Sequence, residues 1–265
     1  MENLVFQFFA LPLPALLLAI LAILLAGERI GHWGWQHWTR GSGDPPPDMA
    51  TVLTSTFGLL SLLLAFTFGM AVNRYEDRRQ LVISEANAIG TAHIRTALAT
   101  DPSGTGLRIA LEDYARLRLA FGKTAGAERT ATMDQAAAMR GDLARLGLEA
   151  SMNVRSAPMG PALLDSVNTV IDVGGERDAT ARSSVPYTVS CLLIMLGVSA
   201  AVLLGAASVE RRRLPSFSNA FLLVLLSFAM TLIADLDRST SGTITVSQYA
   251  MEELVKDFPA PAPAP

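Results

Sequence analysis

Hydrophobic and polar positions divide this chain into four long apolar blocks, two near each end, around a polar middle. The blocks cover residues 4–26, 51–72, 186–208 and 217–234, and none contains a charged side chain. A helix rises 1.5 Å per residue, so about 20 residues cross the ~30 Å hydrocarbon core. Lipid offers no hydrogen-bond partners to an open backbone, and helices satisfy themselves. The pattern therefore predicts four membrane-spanning helices. The first block starts behind an acidic Met1-Glu2-Asn3 segment and exceeds the ~7–15 apolar residues of a signal peptide, so it reads as a retained anchor helix. Pro12 and Pro14 in its first half are expected to mark the entry end of the helix, the alternative being a kink or local loosening there.

The polar middle shows helical periodicity. From residue 73 the second span runs on without Gly or Pro to Gly90, with Leu81, Val82, Glu85, Ile89 and Ala92 at three- and four-residue spacing. That predicts one rod leaving the bilayer and ending near residue 100, at the turn signal Asp101-Pro102-Ser103-Gly104. Further helices are expected over 107–121 (stripe Leu107, Leu111, Tyr114, Leu117), 132–148, and 162–173 (stripe Leu163, Leu164, Val167, Val170, Ile171). The last is expected to resume after Gly174-Gly175. Alternating β-branched runs are missing. The fold class is all-α: four transmembrane helices in two hairpins, with a helical extramembrane domain inserted between spans two and three. The divisions are 1–72 (membrane hairpin), 73–185 (helical domain), 186–234 (second hairpin), 235–258 (short C-terminal segment) and 259–265 (disordered Pro/Ala tail).

Residues 27–50 read as a short loop, with Trp33, Trp35 and Trp38 at the headgroup level and a Pro45-Pro46-Pro47 run closing it. His32 and His37 lack further ligands at metal spacing, and neither a metal, a cofactor nor a catalytic residue is assigned. Cys191 has no second cysteine to bond. With a net charge of −3, no nucleic-acid partner is expected; the partners are the lipid bilayer and copies of the chain itself.

Two groups of polar residues stand out. Arg74, Arg78 and Arg79 follow the second span, and Asp235, Asp237 and Arg238 follow the fourth. They either pair to lock a bundle or form a charged vestibule at a pore mouth. Glu85, Asn87 and Gly90 lie in a run of small residues suited to tight packing, a subunit contact or a ligand. Inside the blocks the polar side chains considered as candidates are hydroxyls such as Ser61, Thr67, Ser227 and Thr231, which argues against a proton relay of midplane carboxylates. Phosphate-loop, His-Glu-x-x-His and Gly-x-Ser-x-Gly signatures are lacking, so no enzyme is assigned. Basic residues in the short loops (Arg29, Arg40, Arg211, Arg212, Arg213) place those loops inside and the middle domain and termini outside the cytoplasm. Counting Arg74, Arg78, Arg79, Arg177 and Arg182 reverses the balance narrowly.

The stretch GLLSLLLAFTFGMAVNRYEDRRQLVISEANAIGTAHIR (58–95) resembles the bestrophin-like family of bacterial membrane proteins of unknown function. The segment LIADLDRSTSGTITVSQYAMEEL (232–254) is similar to that family's second block, with Ser239 in place of its usual proline. The resemblance implies a relation to bestrophins, which are pentameric anion channels with four spans and a cytoplasmic helical domain. It thus implies a middle domain on the opposite side from the short-loop count. The expectation is a homo-oligomeric ion channel of the bacterial plasma membrane. The alternative is a non-conducting scaffold or envelope sensor whose helical domain binds a protein.

Overall fold

The computed structural model describes residues 8, 11–41, 49–99, 102–183, 185–210, 217–238 and 242–259. Their regular structure is helical apart from one isolated antiparallel bridge between Ala99 and Val154. The helices are α1 (Leu13–Gly41), α2 (Met49–Arg95), α3 (Pro102–Lys123), α4 (Gly126–Met152), α5 (Met159–Arg182), α6 (Tyr187–Glu210), α7 (Phe217–Asp237) and α8 (Tyr249–Lys256), with a 3₁₀ turn at Thr96–Leu98. Four segments are long and apolar enough to cross a membrane: Leu13–Thr39, Met49–Leu98, Thr188–Val209 and Phe217–Asp237. The chain forms two compact units. Unit 1 is Met1–Asn73 with Ser184–Arg238, and unit 2 is Arg74–Ser183 with Ser239–Pro265.

In unit 1, α1 packs along α6 and α7. Leu16, Ile20 and Leu24 recur every fourth residue and are buried, as are Leu223, Leu226 and Met230 of α7. Pro12 immediately precedes α1 and Pro14 is its second residue, at the entry end of the described helix, where a missing N–H removes no helical bond. The expected loop from residue 27 is instead helix as far as Gly41, and it carries all three tryptophans. Its glycines serve packing: a Cβ on Gly31 would fall on the Val202 carbonyl of α6, and one on Gly205 would fall on the Glu28 carbonyl. With no side chain at either crossing, the backbones approach closely, as membrane helices do at small residues. The longer α1 also brings a carboxylate into the first apolar helix. Glu28 is buried and accepts a hydrogen bond from Asn219 Nδ2 at 2.8 Å, and the same nitrogen reaches Ser208 Oγ at 2.9 Å.

Unit 2 gathers residues 74–95 of α2 with α3, α4, α5 and α8. Val82 and Ile89 of α2, Leu107 and Leu111 of α3, Leu143 of α4, Leu163, Val167 and Val170 of α5, and Met251 of α8 share one buried core. Fully burying each such side chain is worth about 1.5–3 kcal/mol. Pro102, read from sequence as part of a turn, is the first residue of α3, where proline's fixed φ suits helix entry. Gly174 and Gly175 do not interrupt α5. A Cβ at Gly174 would meet Tyr114 Oη and lie 3.1 Å from Glu85 Oε1, so this glycine leaves room for polar neighbours. The segment after residue 248 joins the core through Met251, and Arg116 Nη2 donates to the Pro259 carbonyl at 2.6 Å. The Pro45–Pro47 run, Asp101, Arg211–Arg213, Ser239 and residues 260–265 of the expected tail lie outside the described residues.

The α1–α6 crossing yields a direct test. Gly31→Leu is expected to lower the thermal unfolding midpoint of the purified protein, by an overpacking cost of about 1–3 kcal/mol. Gly34→Leu should leave it nearly unchanged, because nothing lies within 4 Å of a Cβ there. Equal midpoints for the two variants would contradict the close crossing.

Candidate functional site

Glu85 lies on the inward stripe of α2, between Val82 and Ile89, and its side chain has no solvent exposure. A carboxylate there must be fully hydrogen-bonded or forfeit several kcal/mol of hydration. Three donors meet it. Tyr114 Oη donates at 3.0 Å and Arg118 Nε at 2.7 Å, both to Oε1, while Arg177 Nη1 reaches Oε2 at 2.5 Å. Arg118, also with zero exposure, passes the chain of charges on to Asp178 Oδ1 at 2.7 Å. Asp178 Oδ2 then faces Arg140 Nη2 at 2.8 Å. Arg177 Nη2 donates to Gln248 Oε1 at 2.8 Å. Residues from α2, α3, α4 and α5, and from the entry to α8, thus converge on one network.

Electrostatics follow from burial. The Tyr114 hydroxyl is pushed well above the ordinary phenol range by burial and then by the Glu85 charge, so it remains a donor. Arg177 is lowered, chiefly by burial, with Arg118 adding to the effect against the pull of Glu85. Arg118 is raised, because Glu85, Tyr114 and Asp178 together outweigh the burial that opposes its charge.

Beside the network, Phe121 collects cations. The guanidinium carbons of Arg129, Arg118 and Arg177 lie 4.2, 4.6 and 5.4 Å from its ring centroid. A recess of ≈ 30 Å³, counted over positions a water centre can take, opens between Arg78, Arg129, Arg177, Phe121 and Gln248. Burial first, then the charges of Arg177, Arg78 and Arg118, lower Arg129 to about 10.

Of the sequence candidates, Glu85 is at the centre of this network. Asn87 is exposed, and Gly90 faces Leu254 of α8. Arg74 Nη1 donates to Ser183 Oγ at 2.8 Å and Arg78 Nη2 to the Ser183 carbonyl at 2.9 Å, while Arg79 pairs with Glu76 on the surface. Asp235 is buried; Asp237 accepts from the Val185 N–H at 3.0 and 3.1 Å; Arg238 Nη2 reaches the Leu11 carbonyl at 2.6 Å. Tyr114 was read from sequence only as an apolar stripe position, and Arg118, Arg140, Arg177, Asp178 and Arg129 were missed. A signal existed for Arg118, which continues the spacing of Leu107, Leu111 and Tyr114 where Leu117 had been preferred. Arg177 and Asp178 similarly extend the Leu163, Val167, Val170 and Gly174 stripe.

Glu85→Ala would strand Arg118 and Arg177 without their shared counter-charge, and is expected to destabilise unit 2 by about 3–5 kcal/mol. Arg145→Ala, which removes only exposed pairs with Asp142 and Glu149, should shift stability by about 1 kcal/mol or less. Denaturant unfolding followed by helical circular dichroism separates the two, and a mild effect of Glu85→Ala would contradict the network's role.

A family model for the bestrophin-like domain matches residues 22–251. No curated protein matches the chain. Among solved structures, a bacterial bestrophin homologue from Klebsiella pneumoniae is similar, with a TM-score of 0.59 at 14% identity over 91% of this chain and 99% of that one. Two single-site variants of that homologue give TM-scores of 0.61 and 0.62 at 16% and 13% identity, covering 91% and 92% of this chain and 96% of each. At these identities the likeness speaks to the fold. The family match spans most of the sequence, and the chain belongs to the bestrophin-like family.

Proposed function

We propose that this chain assembles with copies of itself in the bacterial plasma membrane into an ion conduit, with α2 facing the shared path. The carrying observation is how little the chain covers its own second span. Only 11% of the apolar window of Met49–Leu98 is buried inside the chain, against 28%, 39% and 39% for the other three. At 100° per residue, Thr51, Ser55, Gly58, Leu62, Ala65 and Gly69 fall within about 80° of the α2 circumference. All but Leu62 are small, the composition that lets membrane helices approach one another. Hydroxyls on this helix are satisfied internally: Thr54 Oγ1 donates to the Ala50 carbonyl at 2.8 Å and Ser55 Oγ to the Thr51 carbonyl at 2.9 Å. Such a strip suits a narrow path lined by hydroxyls, with Leu62 as an apolar constriction.

In this reading the four spans form two hairpins and unit 2 is the domain inserted between them. Of the charges at the span exits, Arg78 and Asp235 are buried, which favours the bundle-locking reading of these residues over an open vestibule. Orientation is read anew. Counted by distance from the span ends, Arg74, Arg78, Arg79, Arg177, Arg182 and Arg238 stand against Arg29, Arg40, Arg211, Arg212 and Arg213, six to five. That margin, taken with the family resemblance, favours unit 2 on the cytoplasmic side.

Flux of monovalent ions from liposomes holding the purified protein tests the proposal. Leu62→Ala is expected to raise flux several-fold, and Gly58→Leu to suppress it. No flux from wild type and Leu62→Ala under any voltage, or equal flux from all three proteins, would contradict the conduit and leave the protein-binding scaffold as the working reading.

A further inference from the structure

The recess beside Phe121 has three guanidinium groups, Arg78, Arg129 and Arg177, and no carboxylate among its described lining residues. Beside it, Arg118, Arg140 and Arg177 pair with the carboxylates of Glu85 and Asp178. Arg118 Nη2 is buried and has no hydrogen-bond partner among the described residues. Arg177 is committed through both terminal nitrogens, to Glu85 and Gln248. Arg129 is different: among the described residues it makes neither a hydrogen bond nor an ion pair, and it rests on the Phe121 face at 4.2 Å. This half-buried cation on an aromatic ring, beside a water-sized recess, has the Asp178 charge in its field but no carboxylate in contact among the described residues, and the arginines facing it outweigh that charge.

We infer that this recess binds a small oxyanion of the phosphate or sulfate class, held by the guanidinium of Arg129 in the field of Arg78 and Arg177. A guanidinium fork presents parallel N–H groups at the spacing of two oxyanion oxygens, which suits this class better than a spherical halide. The ≈ 30 Å³ of water-centre space exceeds the ~10–15 Å³ one water needs, so two oxygens of a tetrahedral anion enter while the others stay at the open side. Burial and like charge already draw Arg129 down to about 10, and an anion would relieve that strain on its charged form. The site lies within unit 2 and does not depend on conduction.

The test is the thermal unfolding midpoint of the full-length protein in detergent, titrated with sodium sulfate at ionic strength held constant by sodium gluconate. Wild type should gain midpoint with sulfate in a saturable manner. Arg129→Gln, having lost a charge-assisted contact worth about 1.5–3 kcal/mol, should bind about ten- to a hundredfold more weakly. Arg145→Gln, altering a guanidinium 66% exposed, should match wild type. Arg129→Lys keeps the charge without the fork and should fall between, which preserves the test should Arg129→Gln fold poorly. No sulfate response in wild type, or equal responses in wild type and the Arg129 variants, would overturn the site. Repeating the titration in nanodiscs identifies the source of the anion. A response in neutral lipid that disappears with phosphatidylglycerol marks a headgroup phosphate as occupant, whereas equal responses mark a free anion.

Discussion

Unit 2 depends on the burial of the Glu85 carboxylate. A charge with no access to water holds its place only when every lone pair is answered, and here the answers come from Tyr114 and Arg118 of α3 and Arg177 of α5. Those partners draw in Asp178, Arg140 and Gln248, so the register of α2 against its neighbours is set by directional bonds as well as by apolar packing. Sliding α2 by one residue would turn Glu85 away by 100°, leaving Arg177 without its carboxylate and Arg118 with Asp178 alone. The clearance at Gly174 belongs to the same constraint, because a methyl group there would strike the Tyr114 hydroxyl.

Unit 1 uses small residues in two opposite ways. Gly31 and Gly205 are filled by the carbonyls of Val202 and Glu28, and they close α1 onto α6. Gly58 and Gly69 of α2 have nothing within 4 Å of where a Cβ would stand. A glycine lowers helix stability by roughly 1 kcal/mol relative to alanine, so open glycines in a membrane helix call for a reason. Contact with further copies of α2, as proposed, supplies one.

Much of this was legible in the sequence, and the failures have physical causes. The four apolar helices and the unbroken α2 follow from runs of nonpolar residues without breakers, signals that tertiary context seldom overrides. The stripes of α3 and α5 were found at their apolar positions, Leu107, Leu111, Leu163 and Val167. They were cut short where a charged residue took the next inward place, because a single helix gives no sign that Arg118 will meet Glu85. The end of the apolar run at residue 26, with the tryptophans and prolines beyond it, suggested a loop, while in the folded chain Gly27 and Gly31 lie at a helix crossing. Pairing across 92 residues, as between Glu85 and Arg177, has no local signature.

The central claim is that α2 meets copies of itself around a common path. An electron-microscopy map of the purified full-length protein in nanodiscs tests it most directly. The account expects a closed ring, with Gly58, Leu62 and Ala65 of each copy facing a continuous axial passage. A monomer, or a dimer with α2 turned to lipid and no passage, would contradict it.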